Sequence, residues 1–481
     1  MKQKGFTLVE LLAVIAILAI IALIATPLVL KVVNNSKTNA SEESVKTYLS
    51  AVELSLTNDR LTNNNKKNLT GKYQIIDNGK KIKNVKNENV IAVNYNGSGL
   101  ESGFIDIKNG TVEKIKEAKI GASYAAIVDG NVKLFNTLPE SEMITGNTFN
   151  AVIKSLVSGE TKKYGDYDNL VKSVRFLSYG KLPSEYSYDD LKKMDNIEVS
   201  QKKDNSIIAY HDGVGNVFIY SKNLIVFNSQ SGGMFYRMQS VKNVTFDIID
   251  TSNVINLATM FENCNSLESV DLTSLDTSKV TSMFWMFYNC YSLTEIDLSN
   301  FDTSNVTNME RMFVNCKKLT EIDVTNFNTS NVTTMAYMFN GCSGLTDIDL
   351  SNFDTGNVTT MWGMFHSCTN LKKIDVSNFE TPKLTGVAAM FESCTNVEEI
   401  KLGDFYINDT TSLAYMFSGC SKLEKINLTT FDTSDVTSMN YMFNGCKNLT
   451  EIVVSDKWVI GDTTTTANMF RNCGTDKVTL N

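Results

Sequence analysis

The chain has 481 residues, too many for one ordinary hydrophobic core, so two or three domains are expected. Its hydrophobic content of 42% suits a folded chain, and its net charge of −8 argues against a nucleic-acid partner, which usually requires a basic face. The nine cysteines all follow residue 263, at spacings of 26 residues with a single 27 at the end. Such spacings mark one position of a repeat rather than a metal site or a disulfide framework.

An apolar segment lies close to the N-terminus. Residues 6–30 include a single charged residue, Glu10, and a segment of this length is enough to cross a bilayer as a helix. Lys2 and Lys4 precede it, so the positive-inside rule predicts a cytoplasmic N-terminus and an exported remainder. A cleaved secretory signal is the competing interpretation, but it predicts a shorter apolar core that ends at a small-residue cleavage site. We therefore expect a single-pass cell-membrane protein whose C-terminal part is extracellular.

The sequence KGFTLVE at Lys4–Glu10 closely resembles the leader junction of type IV prepilins and type II secretion pseudopilins. This resemblance implies that a prepilin peptidase removes the leader, residues 1–5, by cutting between Gly5 and Phe6, and that Phe6 is then N-methylated. A carboxylate inside hydrocarbon is costly. For Glu10 the resemblance implies pairing with the amine of Phe6, its own or that of a neighbouring pilin or pseudopilin subunit, during filament assembly. A carboxylate that reaches the membrane interface is the alternative.

The next part of the chain predicts a helix followed by strands. Apolar residues at helical spacing between 45 and 56 extend the predicted pilin-type helix over residues 6–60. Residues 61–160 hold short alternating runs separated by turn residues, which predict a small β-rich, pilin-like head. The runs lie near residues 73–76, 90–95, 104–107 and 124–128, with turns at 109–110 and 129–130.

Residues 161–240 predict a second β-rich unit, with strands near 173–179, 206–210 and 216–220 and a turn at Gly213–Gly215. The sequence MFYRM at Met234–Met238 resembles the repeats that follow it, with Met238 where cysteine would stand. A solenoid needs a cover for its first apolar layer. We interpret residues 161–240 as that N-terminal cap.

Nine repeats aligned on the cysteines occupy residues 241–474, followed by a short tail, 475–481. One copy, Leu293–Lys318, reads LTEIDLSNFDTSNVTNMERMFVNCKK. A fixed period in this range is typical of a solenoid. In this copy Leu293–Leu298 predicts a strand, Asp302–Ser304 a turn whose side chains bond nearby backbone amides, and Met309–Phe313 a short helical turn.

A Met-Phe pair recurs in every repeat, which indicates core rather than a cofactor site, and a cysteine follows three residues after each phenylalanine. In-register cysteine side chains point the same way, whereas a disulfide needs a dihedral near roughly 90°. We therefore expect buried, mostly unpaired thiols. The L-x-x-I-x-L start and M-F-x-x-C end resemble BspA-like leucine-rich repeat surface proteins. That resemblance implies an extracellular array for adhesion or protein binding.

Two columns of equivalent residues are candidate sites. One is a row of aspartates that would bind cations. The alternative is that these carboxylates form a solvated face or are hydrogen-bonded to the backbone. The residues are Asp271, Asp297, Asp323, Asp349 and Asp375. The other is a row of aromatic residues just before the Met-Phe pairs, which would bind a protein or glycan. The alternative is that they pack between neighbouring turns. The residues are Trp285, Tyr337, Tyr415 and Tyr441.

The sequence thus predicts an α+β protein with a long transmembrane pilin helix, a small β-rich head and cap, and a C-terminal leucine-rich-type solenoid. The expected function is a pilin-like subunit that displays the array for adhesion or protein binding. The alternative is a minor pseudopilin of a type II secretion or DNA-uptake machine. No phosphate loop, nucleophile elbow or metalloprotease motif is present in the sequence, so we expect neither an enzyme nor a cofactor.

Overall fold

The computed structural model divides into two compact units, Met1–Leu138 and Pro139–Asn481. The residues that the structure describes are 44–56, 71–76, 80–84, 90–93, 100, 102–108, 111–120, 123–128, 131–135, 140–178, 182–183, 185–403, 405–407 and 410–481. The leader, the apolar segment 6–30 and the processing residues Gly5, Phe6 and Glu10 lie outside them. Among the helices of the described ranges, none has the length and apolarity to cross a bilayer.

The first unit contains a helix, α1, over residues 44–56. Its apolar residues recur three or four positions apart and therefore share one face of the helix. That face is buried in one cluster with Tyr73, Ile75, Ile82 and Ile105 of the sheet. The helical residues of the cluster are Val45, Tyr48, Leu49, Val52 and Leu56. The amphipathic helix predicted here is confirmed over 44–56.

The described strands of the first unit form a seven-stranded antiparallel sheet in the order β3-β2-β1-β4-β5-β6-β7. The strands are β1 (Gly71–Ile76), β2 (Lys81–Asn84), β3 (Val90–Ala92), β4 (Ser102–Lys108), β5 (Thr111–Ile120), β6 (Ser123–Val128) and β7 (Asn131–Phe135). All four predicted runs overlap a strand. The strands that flank each predicted turn are antiparallel neighbours, with Lys108 opposite Thr111 and Val128 opposite Asn131.

The second unit begins with a strand and a helix that precede the predicted cap. These are β8 (Glu140–Glu142) and α2 (Gly146–Ser158). Phe149 and Ile153 on α2 are fully buried in the same core as the repeats. The two compact units divide between Leu138 and Pro139, so this helix belongs to the second unit, whereas the sequence placed residues up to 160 in the head.

The cap and the first repeats share one six-stranded sheet, ordered β10-β11-β12-β9-β14-β16. The elements of this part are β9 (Ser173–Leu177), α3 (Tyr188–Leu191), β10 (Asp195–Glu198), β11 (Ile208–His211), β12 (Asn216–Tyr220), β13 (Leu224–Val226), β14 (Asn243–Phe246), β15 (Ile249–Asp250) and β16 (Ser269–Val270). Strand β9 pairs in parallel with β14, which pairs in parallel with β16 of the next repeat. The cap thus supplies a sheet edge on which the first repeats continue.

Consecutive repeats lie in parallel register, one period apart. Ile374 pairs with Ile400 and Ile426 with Ile452. The later strands are β17 (Lys373–Asp375), β18 (Glu399–Lys401), β19 (Lys425–Leu428), β20 (Glu451–Val454) and β21 (Thr479–Leu480). The Leu293–Leu298 segment of the third repeat is not a strand, so the predicted strand forms in only part of the array.

The predicted helical turn at Met309–Phe313 is wrong: this segment is a series of tight turns. Met312 N–H donates to Met309 O at 3.3 Å, whereas the N–H groups of Arg311 and Phe313 donate to the next repeat, to Ala336 and Met338 at 2.9 Å each. A helix would use all these amides internally. Here every second amide bonds the neighbouring repeat, while the i, i+3, i+4 spacing still buries both methionines and the phenylalanine.

The core consists of aligned columns of identical residues. The phenylalanines of successive Met-Phe pairs stack at centroid distances of 5.0–5.9 Å with nearly parallel rings, from Phe235 to Phe470. All nine cysteines are unpaired, and all except Cys473 are buried. The expectation of buried, unpaired thiols therefore agrees with the structure.

Candidate binding face of the repeat array

The residue immediately before each Met-Phe pair defines a surface column, which we call the aromatic face. Numbering repeats one to nine by their cysteines, its members in repeats two to eight are Trp285, Arg311, Tyr337, Gly363, Ala389, Tyr415 and Tyr441. All have φ between 53° and 61°, in the left-handed region. The side chains of the six members other than glycine are half-buried or exposed, whereas Gly363 and the adjacent methionines and phenylalanines are buried.

The N-terminal part of the face is a stack of rings around one cation. Trp285 lies between Phe284, at a centroid distance of 5.0 Å, and Tyr288, at 4.6 Å. The guanidinium carbon of Arg311 is 5.3 Å from the Trp285 ring and 4.8 Å from the Tyr337 ring. Cation–π contacts of this kind contribute roughly 0.5–2 kcal/mol each. Packing between neighbouring repeats, which was one of the two interpretations of this column from the sequence, therefore accounts for part of it.

The middle of the face lacks large side chains in the column itself. The ring of Tyr337 lies over Gly363, where a Cβ would be 2.5 Å from Tyr337 Cε1. Beside this glycine, Trp362 is 48% exposed. Glu392, in repeat six, has its carboxylate 3.9 Å from the imidazole of His366, and burial raises the pKa of that carboxyl.

The C-terminal part of the face is a pair of tyrosines. Tyr415 and Tyr441 stack with a centroid distance of 4.9 Å and an interplanar angle of 5°. Tyr441 covers one face of the Tyr415 ring, so the other face points towards repeat six, where the column holds only Ala389. Tyr415 is 38% exposed. The structure thus places all four predicted aromatic residues on one face, but in two groups separated by Gly363 and Ala389.

The aspartate column is occupied by local hydrogen bonds. The carboxylate of Asp297 accepts from Ser299 N–H at 2.9 Å, that of Asp349 accepts from Ser351 N–H at 2.9 Å, and equivalent bonds form at Asp271, Asp323 and Asp375. Hydrogen bonds from the Ser351 side chain and from its backbone N–H lower the pKa of the Asp349 carboxyl. These are Asx turns, which hold the chain after each strand segment. Within the described ranges, no three histidine, cysteine, aspartate or glutamate side chains form a group that could hold a metal.

A buried charged cluster beneath the cap was not predicted. Lys154 on α2 is fully buried and donates to the carbonyl of Asp166 at 2.7 Å, and burial lowers its pKa to about 8. Glu262, in repeat one, is 4% exposed, and burial raises the pKa of its carboxyl to about 7. Arg237 stacks between the rings of Tyr167 and Tyr236 in the same region. The indication of this cluster in the sequence was the position of Lys154 on the apolar face of α2.

Comparisons with known proteins give matches at both ends of the chain, to the N-terminal segment and to the repeats. Residues 1–26 match the prokaryotic N-terminal methylation motif. Three overlapping matches, at 229–343, 315–400 and 372–480, are to the family described as Mycoplasma protein of unknown function, DUF285, and together they span more than half of the chain. The chain belongs to this family. Both resemblances stated from the sequence are confirmed.

One solved structure and the curated proteins complete the comparison. A leucine-rich cell surface protein from Faecalibacterium prausnitzii A2-165 is 17% identical, and the match covers 54% of this chain and 79% of that protein. Its TM-score of 0.27 is too low to establish a shared fold. No curated protein matches the chain significantly.

Proposed function

We propose that this chain is a bacterial cell-surface protein, anchored in the cell membrane by residues 6–30, whose repeat array is a leucine-rich-type solenoid that binds an extracellular protein or glycan. The methylation motif at residues 1–26 supports the anchor, because this motif includes most of the apolar segment 6–30, which is long enough to span a bilayer. On this proposal the partners are the membrane, prepilin peptidase and one extracellular ligand. The chain has no catalytic role and needs no cofactor.

The observation that carries the binding proposal is the aromatic face. The buried columns beside it already complete the core of each repeat, yet three tyrosines, a tryptophan and an arginine occupy this surface column. Trp, Tyr and Arg are the residues that most often dominate binding energy at interfaces. Trp362, beside the column, and Tyr415, within it, are the large side chains that the face leaves most open to solvent, at 48% and 38% exposed.

The test compares the full-length protein with two variants, each displayed on cells. In the first, Trp285, Tyr337, Tyr415 and Tyr441 are all replaced by alanine. In the matched control, Asp297 and Asp323 are replaced by asparagine, which retains the Asx turns on another face of the same repeats. We expect adhesion to matrix proteins or to a glycan array to be lost only in the first variant. Equal adhesion by both variants, with both folded by circular dichroism, would contradict the proposal.

A minor pseudopilin is the second candidate, and one observation favours it: α1 packs on an antiparallel sheet in the first unit, the arrangement that the pilin resemblance implies. Glu10→Ala removes a charge from the apolar segment, so membrane insertion should persist, whereas incorporation into a filament should fall if Glu10 pairs with the amine of Phe6. Cross-linking the protein to its filament partners in cells, with wild type as control, measures this. Unchanged incorporation would refute the pairing role.

A further inference from the structure

The N-terminal end of the repeat array is closed by the cap. The side-chain amide of Asn150 on α2 donates to the backbone carbonyls of Met234 and Tyr236, at 3.3 and 2.9 Å. In repeat one, the carbonyls at the two equivalent positions accept instead from backbone amides of the preceding copy, at 2.9 and 2.8 Å. The cap therefore supplies hydrogen-bond donors where a preceding repeat would otherwise supply them.

Repeat nine, at the other end of the array, leaves the equivalent donors unpaired. In repeat eight, Tyr441 N–H and Phe443 N–H donate to carbonyls of repeat nine, at 3.0 and 2.9 Å. The equivalent amides of repeat nine, those of Asn468 and Phe470, have no acceptor in the part of the chain that the structure describes. The φ of Asn468 is 56° and that of Tyr441 is 58°, so the backbone has the same conformation and these donors point out of the end of the array.

Apolar side chains are also open to solvent at this end. The phenylalanines of the Met-Phe pairs in repeats one to eight are fully buried, whereas Phe470 is half-buried and stacks on Phe443 on one side, at 5.6 Å. Trp458 packs against the same core and is half-buried. Ile460 and Leu480, the latter on the outermost strand β21, are 52% and 71% exposed. Because a terminal repeat normally presents a polar outer face, an apolar one indicates a contact with another protein surface.

The charges at this end balance, unlike those of the whole chain. Residues 455–481, which we call the open end, include three carboxylates and three cations and are neutral, whereas the chain carries a net charge of −8. All six charged side chains are exposed. Two copies of the chain therefore repel each other less at their open ends than elsewhere, and each open end presents both signs of charge to the other. The six residues are Asp456, Lys457, Asp462, Arg471, Asp476 and Lys477.

A second copy can meet the open end in two ways, and only one of them fits. Head-to-tail stacking would place the unpaired amides against the N-terminal end of the next array, where the carbonyls already accept from Asn150. When two open ends meet about a twofold axis, the apolar side chains of one copy cover those of the other. The carboxylates of each copy can then face the cations and backbone amides of its partner. Such a contact is closed by two copies.

We propose that two copies of this chain pair through their open ends, residues 455–481, about a twofold axis. Burial of the apolar side chains of both copies stabilises the pair, and the balanced charges fix how the two ends meet. This inference goes beyond the binding function proposed for the aromatic face and does not depend on it. The array then has two separate contacts, one with a ligand on the aromatic face and one with a second copy at its open end.

The experiment uses the full chain, purified in detergent, and sedimentation velocity over a hundredfold range of protein concentration. We expect a monomer–dimer equilibrium. The double variant Ile460→Asp, Leu480→Asp should raise the dimer dissociation constant at least tenfold, because like charges replace apolar contacts across the axis. The matched control Leu170→Asp, Val214→Asp changes two exposed apolar residues of the cap by the same charge and should dimerise like wild type. A wild-type monomer throughout, or equal dimerisation of the two double variants, would overturn the proposal.

A pair of charge-swapped variants tests the arrangement without changing an apolar residue, and serves if the first double variant does not fold. Asp462→Lys, Asp476→Lys makes the open end basic, and Arg471→Asp, Lys477→Asp makes it acidic. Each variant alone should dimerise at least tenfold more weakly than wild type, because two identical open ends then repel each other. An equimolar mixture of the two should form a heterodimer. A mixture that stays monomeric, with both variants folded by circular dichroism, would refute pairing through the open ends.

The aromatic face provides a control for the independence of the two contacts. The variant in which its four aromatic residues are replaced by alanine retains the open end and should dimerise like wild type. Loss of dimerisation in that variant would place the contact on the aromatic face and overturn the proposal. Loss of adhesion with unchanged dimerisation would support both contacts, whereas unchanged adhesion with unchanged dimerisation would refute the binding function and leave the pairing of open ends supported.

Discussion

The thiol of Cys316 donates a hydrogen bond to the carbonyl oxygen of Phe287 in the preceding repeat, at 3.3 Å. The same contact recurs from Cys264 to Cys446 at 3.0–3.3 Å. Each of these cysteines therefore satisfies a buried backbone acceptor as well as filling a small space in the core. A disulfide between neighbouring repeats would remove two such bonds.

We predict that eight of the nine cysteines are unreactive in the native protein and that all nine react once it is unfolded without reductant. Burial raises the pKa of the Cys342, Cys394 and Cys446 thiols to about 12, so almost no thiolate is present at neutral pH. Cys473 is half-buried and should react first. The measurement is alkylation followed by intact mass. One reactive thiol after unfolding would mean four disulfides, and the thiol–carbonyl column would be wrong.

A second prediction concerns processing. The mature protein should begin with N-methylated Phe6, because residues 1–26 match the N-terminal methylation motif and Gly5 precedes Phe6. N-terminal peptide mass spectrometry of protein extracted from membranes measures this. Gly5→Leu should leave the leader attached, while Gln3→Ala, outside the cleaved bond, should be processed normally. An intact Met1 in the wild-type protein would contradict the assignment.

The sequence period predicted which residues share a column, but not how the backbone between them bonds. The spacing of Met309, Met312 and Phe313 is compatible with a helix and with consecutive turns, and only stacking shows that alternate amides donate to the next repeat. Likewise, Asp302 bonds Ser304 N–H locally at 2.9 Å, as expected, whereas Thr303 bonds across repeats. A hydroxyl bonds equally well in either direction, so its partner depends on tertiary contacts.

Helix α2 was not predicted, although the sequence contains the spacing of an amphipathic helix. Phe149, Val152, Ile153 and Leu156 follow the i, i+3, i+4, i+7 pattern of an amphipathic helix. Gly146 lies where a Cβ would be 2.1 Å from the carbonyl oxygen of Gly232, a close approach that sequence cannot reveal. The division of the aromatic face into two groups could not be predicted either. The repeat period shows which residues share the column, but it does not show that Arg311 contacts the rings of its neighbours.

A third prediction tests the threonine column. Thr303 is 1% exposed, donates to Asn328 O at 2.9 Å and accepts from Asn328 N–H at 2.8 Å. Thr303→Val keeps the shape but leaves both backbone groups unpaired, so the free energy of unfolding of this region should fall by about 1–3 kcal/mol. Ser304→Ala, next to it, should cost less than about 0.5 kcal/mol. Urea denaturation followed by circular dichroism compares the two, and equal midpoints would refute the bridging role.

The last prediction concerns pH. Glu262 has a pKa of about 7 in the folded protein, raised from 4.5 by burial. Below pH 4.5 the carboxyl is protonated in both states and its burial costs little; between pH 4.5 and 7 the unfolded state releases the proton first, so stability falls as pH rises. Glu262→Gln should therefore stabilise the protein by about 1–3 kcal/mol at pH 8 and by almost nothing at pH 4.

The neighbouring Lys154 provides the control for this pH dependence. Its pKa is lowered from 10.5 to about 8, so the cost of burying its charge is constant below pH 8 and is relieved only as pH rises towards 10.5. Lys154→Met should consequently shift the thermal unfolding midpoint by the same amount at pH 4 and at pH 7, whereas the shift for Glu262→Gln should grow across that interval. Scanning calorimetry at pH 4, 5, 6, 7 and 8 measures both. A Glu262→Gln shift that does not change with pH would mean that this carboxyl is ionised throughout and solvated in the folded protein.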